Sequence, residues 1–267
     1  TRVQTCALPI FYGRGMEMDH HASLIRLMRQ PGVRFAPGYN DALLCRARSK
    51  RASEFLMDTK EDVFVSIDGD IAFDPASVMS VAEQVYGNPD TPIVGGLYVT
   101  RARLGGLCRP TSVFYDNEPI EFGNDPTPRP VRWLATGFMA VHRRVFEALA
   151  ETLPLCTDNP SFYPFYQPFW VDHPEGKGAL YLSEDFAFCE RARQAGFGCF
   201  INPAVRLMHF GQHGFRLEDM LVHEPETQYM EITKSSDGKY SLGTIDTGED
   251  DASLNDSAVR PAVQLAR

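Results

Sequence analysis

The sequence has no apolar run near the eighteen or so residues that a membrane-spanning helix requires, so any membrane contact would be peripheral. The apolar stretch 6–11 is too short for the core of a secretory signal. Basic residues are outnumbered, 26 Lys and Arg against 35 Asp and Glu, for a net charge of -9. That balance argues against nucleic acid as a partner, because proteins that grip bare phosphate polymers carry a basic excess. The six cysteines are scattered, with no Cys-x-x-Cys pair and no Cys/His spacing of a zinc site, and the expectation is a reduced, cytoplasmic chain.

What is present is enough apolar material for one large core: 43% of the 267 residues are hydrophobic and 11% aromatic. The expected organisation is a non-native or truncated N-terminus over 1–10, which starts without methionine, one globular domain over 11–234, and a polar, acidic tail over 235–267 that composition predicts to be disordered.

Helical spacing of Leu24, Ile25, Leu27 and Met28 predicts a first helix over 19–30, capped by Asp19, and Leu43, Leu44, Ala47, Phe55 and Leu56 predict a second over 40–58. Residues 63–67 are β-branched and aromatic without helical period and run straight into Asp68-Gly69-Asp70, as a buried strand ending in acids would. A helix over 76–86, strand character over 92–100, a long Gly- and Pro-rich loop, and a strand over 133–141 entering a helix follow. This order implies a layered α/β fold. Residues 153–179, with five prolines and several aromatics, read as a loop; Ser183 caps a helix over 184–195 that Gly196 ends, and short strands are expected at 199–202 and 205–209.

Two carboxylates one residue apart at the end of a buried strand can reach one hard cation, and in open α/β sheets ligands sit beyond the carboxyl ends of the strands. Asp-x-Asp is also common in ordinary loops, and position after the strand is what favours function for Asp68 and Asp70. Acids in a first helical turn, such as Glu184 and Asp185, also arise simply to complement the helix dipole. His209 beside apolar residues reads equally as a hydrogen-bonded core histidine, with His213 nearby, and Arg46, Arg48 and Arg51 equally as a solvated basic face.

The run Phe64-Val65-Ser66-Ile67-Asp68-Gly69-Asp70-Ile71-Ala72-Phe73-Asp74-Pro75 resembles the D-x-D region of GT-A glycosyltransferases, and three later segments agree with it in order. Residues 133–144 resemble the strand beneath donor sugar and acceptor, with Trp133 lining it and Gly137 allowing close backbone approach. Ser183-Glu184-Asp185 resembles the family's Glu-Asp motif, and His209 stands where several GT-A families supply a further metal ligand. The resemblance covers roughly 9–214. It implies a single-domain, Rossmann-like mixed sheet flanked by helices, with Mn2+ or Mg2+ held by Asp68, Asp70 and His209. It also implies a nucleoside-diphosphate sugar donor contacted by Asp68, Pro9, Tyr12, Arg46, Arg48, Trp133 and Gly137. A saccharide or other hydroxyl acceptor would be deprotonated by Asp185 beside Glu184, with inversion at the anomeric carbon. The Asp-Asp-Gly-Ser segment common in the largest inverting family is absent, so base and sugar stay unassigned.

Two other readings fit parts of the sequence. The segment Ile67-Asp68-Gly69-Asp70-Ile71 also resembles the nucleophile motif of haloacid-dehalogenase-type phosphatases, which need a downstream lysine, and Lys177 stands isolated in a Pro/Gly-rich loop. A non-catalytic sugar-binding protein of the same fold would use aromatics such as Trp133 and Trp170 for stacking.

Overall fold

The computed structural model describes residues 5–10, 17–36, 41–101, 108–115, 120–173, 176–211, 214–220, 229–234, 240–245 and 263–265. In chain order the elements are β1 (Thr5–Ile10), α1 (Met18–Met28), β2 (Val33–Phe35), α2 (Leu44–Asp58), β3 (Val63–Asp68), β4 (Ile71–Phe73), α3 (Pro75–Gly87), β5 (Ile93–Gly95), β6 (Ile120–Phe122) and β7 (Arg129–Val131). There follow β8 (Phe138–His142), α4 (Arg143–Ala150), β9 (Phe169–Asp172), β10 (Ala179–Leu182), α5 (Glu184–Gln194), β11 (Cys199–Ile201), β12 (Leu207–Phe210), β13 (Gly214–Arg216), β14 (Tyr229–Lys234), β15 (Tyr240–Ile245) and β16 (Val263–Leu265). No helix among the described residues is long and apolar enough to cross a membrane.

Seven strands form one mixed sheet in the order β2-β1-β3-β8-β5-β11-β7. β8 runs antiparallel to both β3 and β5, while β1 is parallel to β2 and β3. Alternate side chains serve opposite faces. On β3, Val63, Val65 and Ile67 join Leu27 of α1 and Val78, Val81, Ala82 and Val85 of α3, whereas Phe64 joins Phe55 of α2, Phe146 of α4 and Phe188 of α5. β8 divides the same way, Ala140 to the α3 side and Met139 and Val141 to the other. The sheet is therefore sandwiched between two helical layers, and strands buried on both faces lose the polar alternation of a half-exposed sheet. The fold is thus a mixed α/β sheet flanked by helices in one unit, as expected from the sequence.

Strand direction then decides where the site lies. Because β8 is antiparallel to β3, its entry at Gly137 sits at the carboxyl end of β3, and the Asp68 amide donates to the Gly137 carbonyl at 2.9 Å. A second sheet, β13-β12-β4, pairs His209 with Ile71, one residue past Asp70. Four chain segments thus converge on one rim.

Several local expectations shift. α1 begins after Glu17, without a side-chain cap, and Asp19 lies inside its first turn. α2 starts at Leu44 rather than near 40. Ser183 occupies the cap position of α5 but makes no side-chain cap bond, while Gly196, at φ 88°, takes the left-handed turn that glycine tolerates. The 153–179 stretch is not wholly irregular, since Phe169–Asp172 pairs with Ala179–Leu182 as a hairpin. Thr5–Ile10, within the stretch read as non-native or truncated, lies between β2 and β3. Of 235–267, Tyr240–Ile245 pairs with β14 and Val263–Leu265 with β6, and the rest lies outside the described residues.

Candidate active site

At the rim of β3 a cavity of about 650 Å³ is lined by Asp68, Asp70, Glu184, Asp185, His209 and Arg48, together with Tyr98, Arg101, Phe186 and Glu17. The acids arrive by separate segments. Asp68 ends β3, Asp70 follows the turn at Gly69, and Glu184 and Asp185 open α5, where the helix dipole favours negative charge.

Arg48 organises one side. It lies on the buried stripe of α2 with Ser49, Ala52 and Phe55, only 2% exposed, and reaches across to β3. Its guanidinium is 3.0 Å from Asp68 Oδ1, donates to Asp68 Oδ2 at 3.1 Å and to Ser66 Oγ at 3.3 Å, and comes within 4.0 Å of Glu184 Oε1. Arg48 Nε and Asp68 Oδ1 have no well-directed hydrogen bond, so buried polar capacity remains beside the cavity. The arginine is fixed in its charged form by the Asp68 and Asp185 carboxylates, which outweigh its burial.

Asp185 feels the opposite balance. Removal from water pushes its carboxyl up to about 7, the Arg48 guanidinium opposes the rise, and the Glu184 and Asp68 carboxylates reinforce it. Its Oδ2 accepts from the Thr136 amide at 3.4 Å, which turns the group toward the loop entering β8. A carboxylate that ionises near neutrality, beside a cavity, has the acidity a general base needs.

Asp70 and His209 form the other side. His209 Nδ1 lies 2.7 Å from the Val99 carbonyl, which leaves Nε2 directed at Asp70 Oδ2, 3.6 Å away. Arg101 donates to the same oxygen at 2.8 Å. Burial raises the Asp70 carboxyl, but hydrogen bonding and charge from His209, with Arg101, prevail and hold it below the usual carboxylate range. An imidazole fixed through Nδ1 with Nε2 facing a carboxylate is a donor pair suited to a divalent cation. The full triad expected from the sequence is not assembled. Asp68 is engaged by Arg48, and no group of three or more His, Cys, Asp and Glu side chains among the described residues could hold a metal.

No family model matches this chain, and no curated protein does. Among solved structures, a crystal structure of A197 from STIV aligns over 89% of this chain and 93% of its own, at 13% identity and a TM-score of 0.48. A crystal structure of GalNAc-T7 with UDP, GalNAc and Mn2+ aligns over 81% of this chain at 14% identity and a TM-score of 0.47; this chain covers only 45% of that one. At such similarity no residue role passes from either protein to this chain.

Asp68, Asp70, His209, Glu184, Asp185, Arg48 and Gly137 come together at the rim. Arg46 does not: its guanidinium is taken by Asp41, with Nε donating at 2.7 Å, because it lies off the buried stripe of α2. Arg51, on another face, pairs with Glu54. Trp133 belongs to the core, 4% exposed, stacked on Phe186 and donating through Nε1 to Glu190 at 3.1 Å. Pro9 is placed by its backbone in β1 opposite Ile67, and Tyr12 and His213 lie outside the described residues.

Sequence reasoning missed Arg101, which bonds Asp70, and Tyr98. Its hydroxyl accepts from the Gly137 amide at 3.0 Å, and its ring meets His209 edge-on at 5.0 Å, so it links the two halves of the cavity. The available signal was a single phenol just beyond β5, a strand that ends at the same rim.

Proposed function

We propose that this chain transfers a sugar from a nucleoside-diphosphate sugar to an acceptor hydroxyl, with inversion, and that Asp185 is the base. The observation that supports this best is the Asp185 carboxyl, raised to about 7 in a cavity that also holds Arg48 and the Asp70–His209 pair. A base with that acidity is ionised enough at neutral pH to take a hydroxyl proton. Arg48, whose Nε makes no hydrogen bond, offers a fixed positive charge for diphosphate oxygens while keeping Asp68 in place. Asp70 and His209 would hold Mn2+ or Mg2+, with the diphosphate and water completing its coordination, and the cation would offset charge on the departing diphosphate. Gly137 keeps the floor of the cavity open beside Asp68. The phosphatase reading is disfavoured because no lysine among the described residues lines this cavity and Asp68, its required nucleophile, is tied to Arg48.

The test is release of nucleoside diphosphate from a panel of nucleoside-diphosphate sugars with Mn2+. Asp70→Ala should lose metal-dependent donor binding, whereas Asp185→Asn should bind donor and fail to transfer. Equal donor affinity with and without Asp70, or transfer that survives Asp185→Asn, contradicts the assignment.

A further inference from the structure

We propose that the outward face of the β9–β10 hairpin is a saccharide platform, which makes the acceptor of the transfer proposed above a glycan rather than a small alcohol. Trp170 and Tyr181 are register partners across this hairpin, and both stand out in solvent, 72% and 68% exposed. Cross-strand partners have Cβ atoms about 4.5–5.5 Å apart, so the two aromatic side chains project from adjacent positions on one face of the hairpin.

Their exposure does not come from a loosely attached hairpin. On the opposite face Leu182 is buried in the core and Phe169, Val171 and Leu180 pack against it. Arg191 lies over the Phe169 ring at 4.6 Å and donates to the Phe165 and Gln167 carbonyls at 3.1 and 2.5 Å. The sequence thus fixes one face of the hairpin firmly and presents two large aromatic rings on the other, where they gain nothing from burial.

The chemistry of that outer face selects the occupant. By strand alternation it carries Trp170, Asp172, Ala179 and Tyr181. Electron-rich ring faces suit the C–H face of a pyranose, and the exposed Asp172 carboxylate and Tyr181 hydroxyl suit its hydroxyl rim. None of these four side chains is a cation, which disfavours an anionic lipid surface or a polyphosphate. It also lies close along the chain to the candidate site: Asp185 follows Tyr181 by four residues, at most about 14 Å of chain.

This inference rests on the transfer reading but is tested apart from it. The two tryptophans are Trp133, which is buried, and Trp170, so acrylamide quenching of fluorescence reports Trp170. The full chain, with neither donor nor metal, is titrated with cellohexaose, maltohexaose and chitohexaose. At least one should protect Trp170 from acrylamide. Saturation-transfer NMR of that sugar should show binding weakened about tenfold or more by Trp170→Ala and by Tyr181→Ala, and kept by Tyr181→Phe. If none of the three sugars protects Trp170, or if both alanine variants bind as well as the parent, the platform is refuted. A chain that binds the sugar but cleaves no nucleoside-diphosphate sugar would instead refute the transfer reading alone.

Discussion

The Arg48 guanidinium, carried on the buried stripe of α2, sits 3.0 Å from the Asp68 carboxylate at the end of β3. It also comes within 4.0 Å of Glu184 at the start of α5, so one arginine balances acids delivered by two elements. Arg48→Met keeps the volume and removes the charge, leaving carboxylates at the rim without compensation. Removing one partner of a buried pair costs about 3–5 kcal/mol, and the quarter-exposed Asp68 side chain points to the lower end, about 3 kcal/mol. Urea unfolding at pH 7.5 measures it. A loss under about 1 kcal/mol would mean that cavity water alone solvates these acids.

Gly137 sits where a side chain would collide with the site. A Cβ there would fall 2.3 Å from Tyr98 Oη and 3.1 Å from Asp68 Oδ2. Gly137→Ala is therefore expected to destabilise by about 1–3 kcal/mol, the usual range for overpacking. Tyr98→Phe removes the nearer colliding atom, leaves Cζ at 2.7 Å and keeps the ring against His209, so the double variant should recover part of that loss. A thermal-unfolding double-mutant cycle with zero coupling would show that the clash is absorbed elsewhere.

Much of this architecture was legible in residues alone. The unpatterned run from Val63 to Ile67 announced a strand buried on both faces, and its acidic end marked the rim because neighbouring helices cover both sides of the sheet. Asp185 and His209 were legible as candidates through their place in the order of segments. The sequence could not say which arginine of α2 turns inward: Arg46 and Arg48 are two residues apart, and the choice depends on which stripe packs on the sheet. Nor could it place Trp133, whose ring fills the space between α5 and the loop before β8, or Tyr98, whose role arises from a backbone amide that only the fold brings near. The pairing of Asp68 with Arg48 is likewise a tertiary outcome.

The Asp70–His209 pair makes a separate prediction about Mn2+. The Val99 carbonyl, 2.7 Å from Nδ1, fixes the imidazole, so His209→Ala removes one oriented nitrogen donor and Asp70→Asn removes the charge. Calorimetric titration with Mn2+ and a nucleoside diphosphate should show affinity reduced at least about tenfold for either variant. Unchanged affinity in both would remove this pair from the proposed metal site and leave Glu184 and Asp68 as the candidates to examine next.

The Asp185 carboxyl gives the pH dependence its sign. Its folded value, about 7, stands above the ordinary 3.8 because burial, Glu184 and Asp68 favour the neutral form more strongly than Arg48 favours the ion. A base works when ionised, so transfer should rise with pH and reach half its plateau near 7. Glu184→Gln removes a carboxylate that raises this value, and the rising limb should move to lower pH. Stability runs the other way: the advantage of the neutral acid is complete below about pH 4 and lost as pH climbs through 7. Asp185→Asn, neutral at every pH, should therefore melt higher than the parent at pH 8.5 and match it near pH 4. A parent and variant separated by the same interval at both pH values would mean that Asp185 is not held neutral by its surroundings, and its candidacy as the base would go with it.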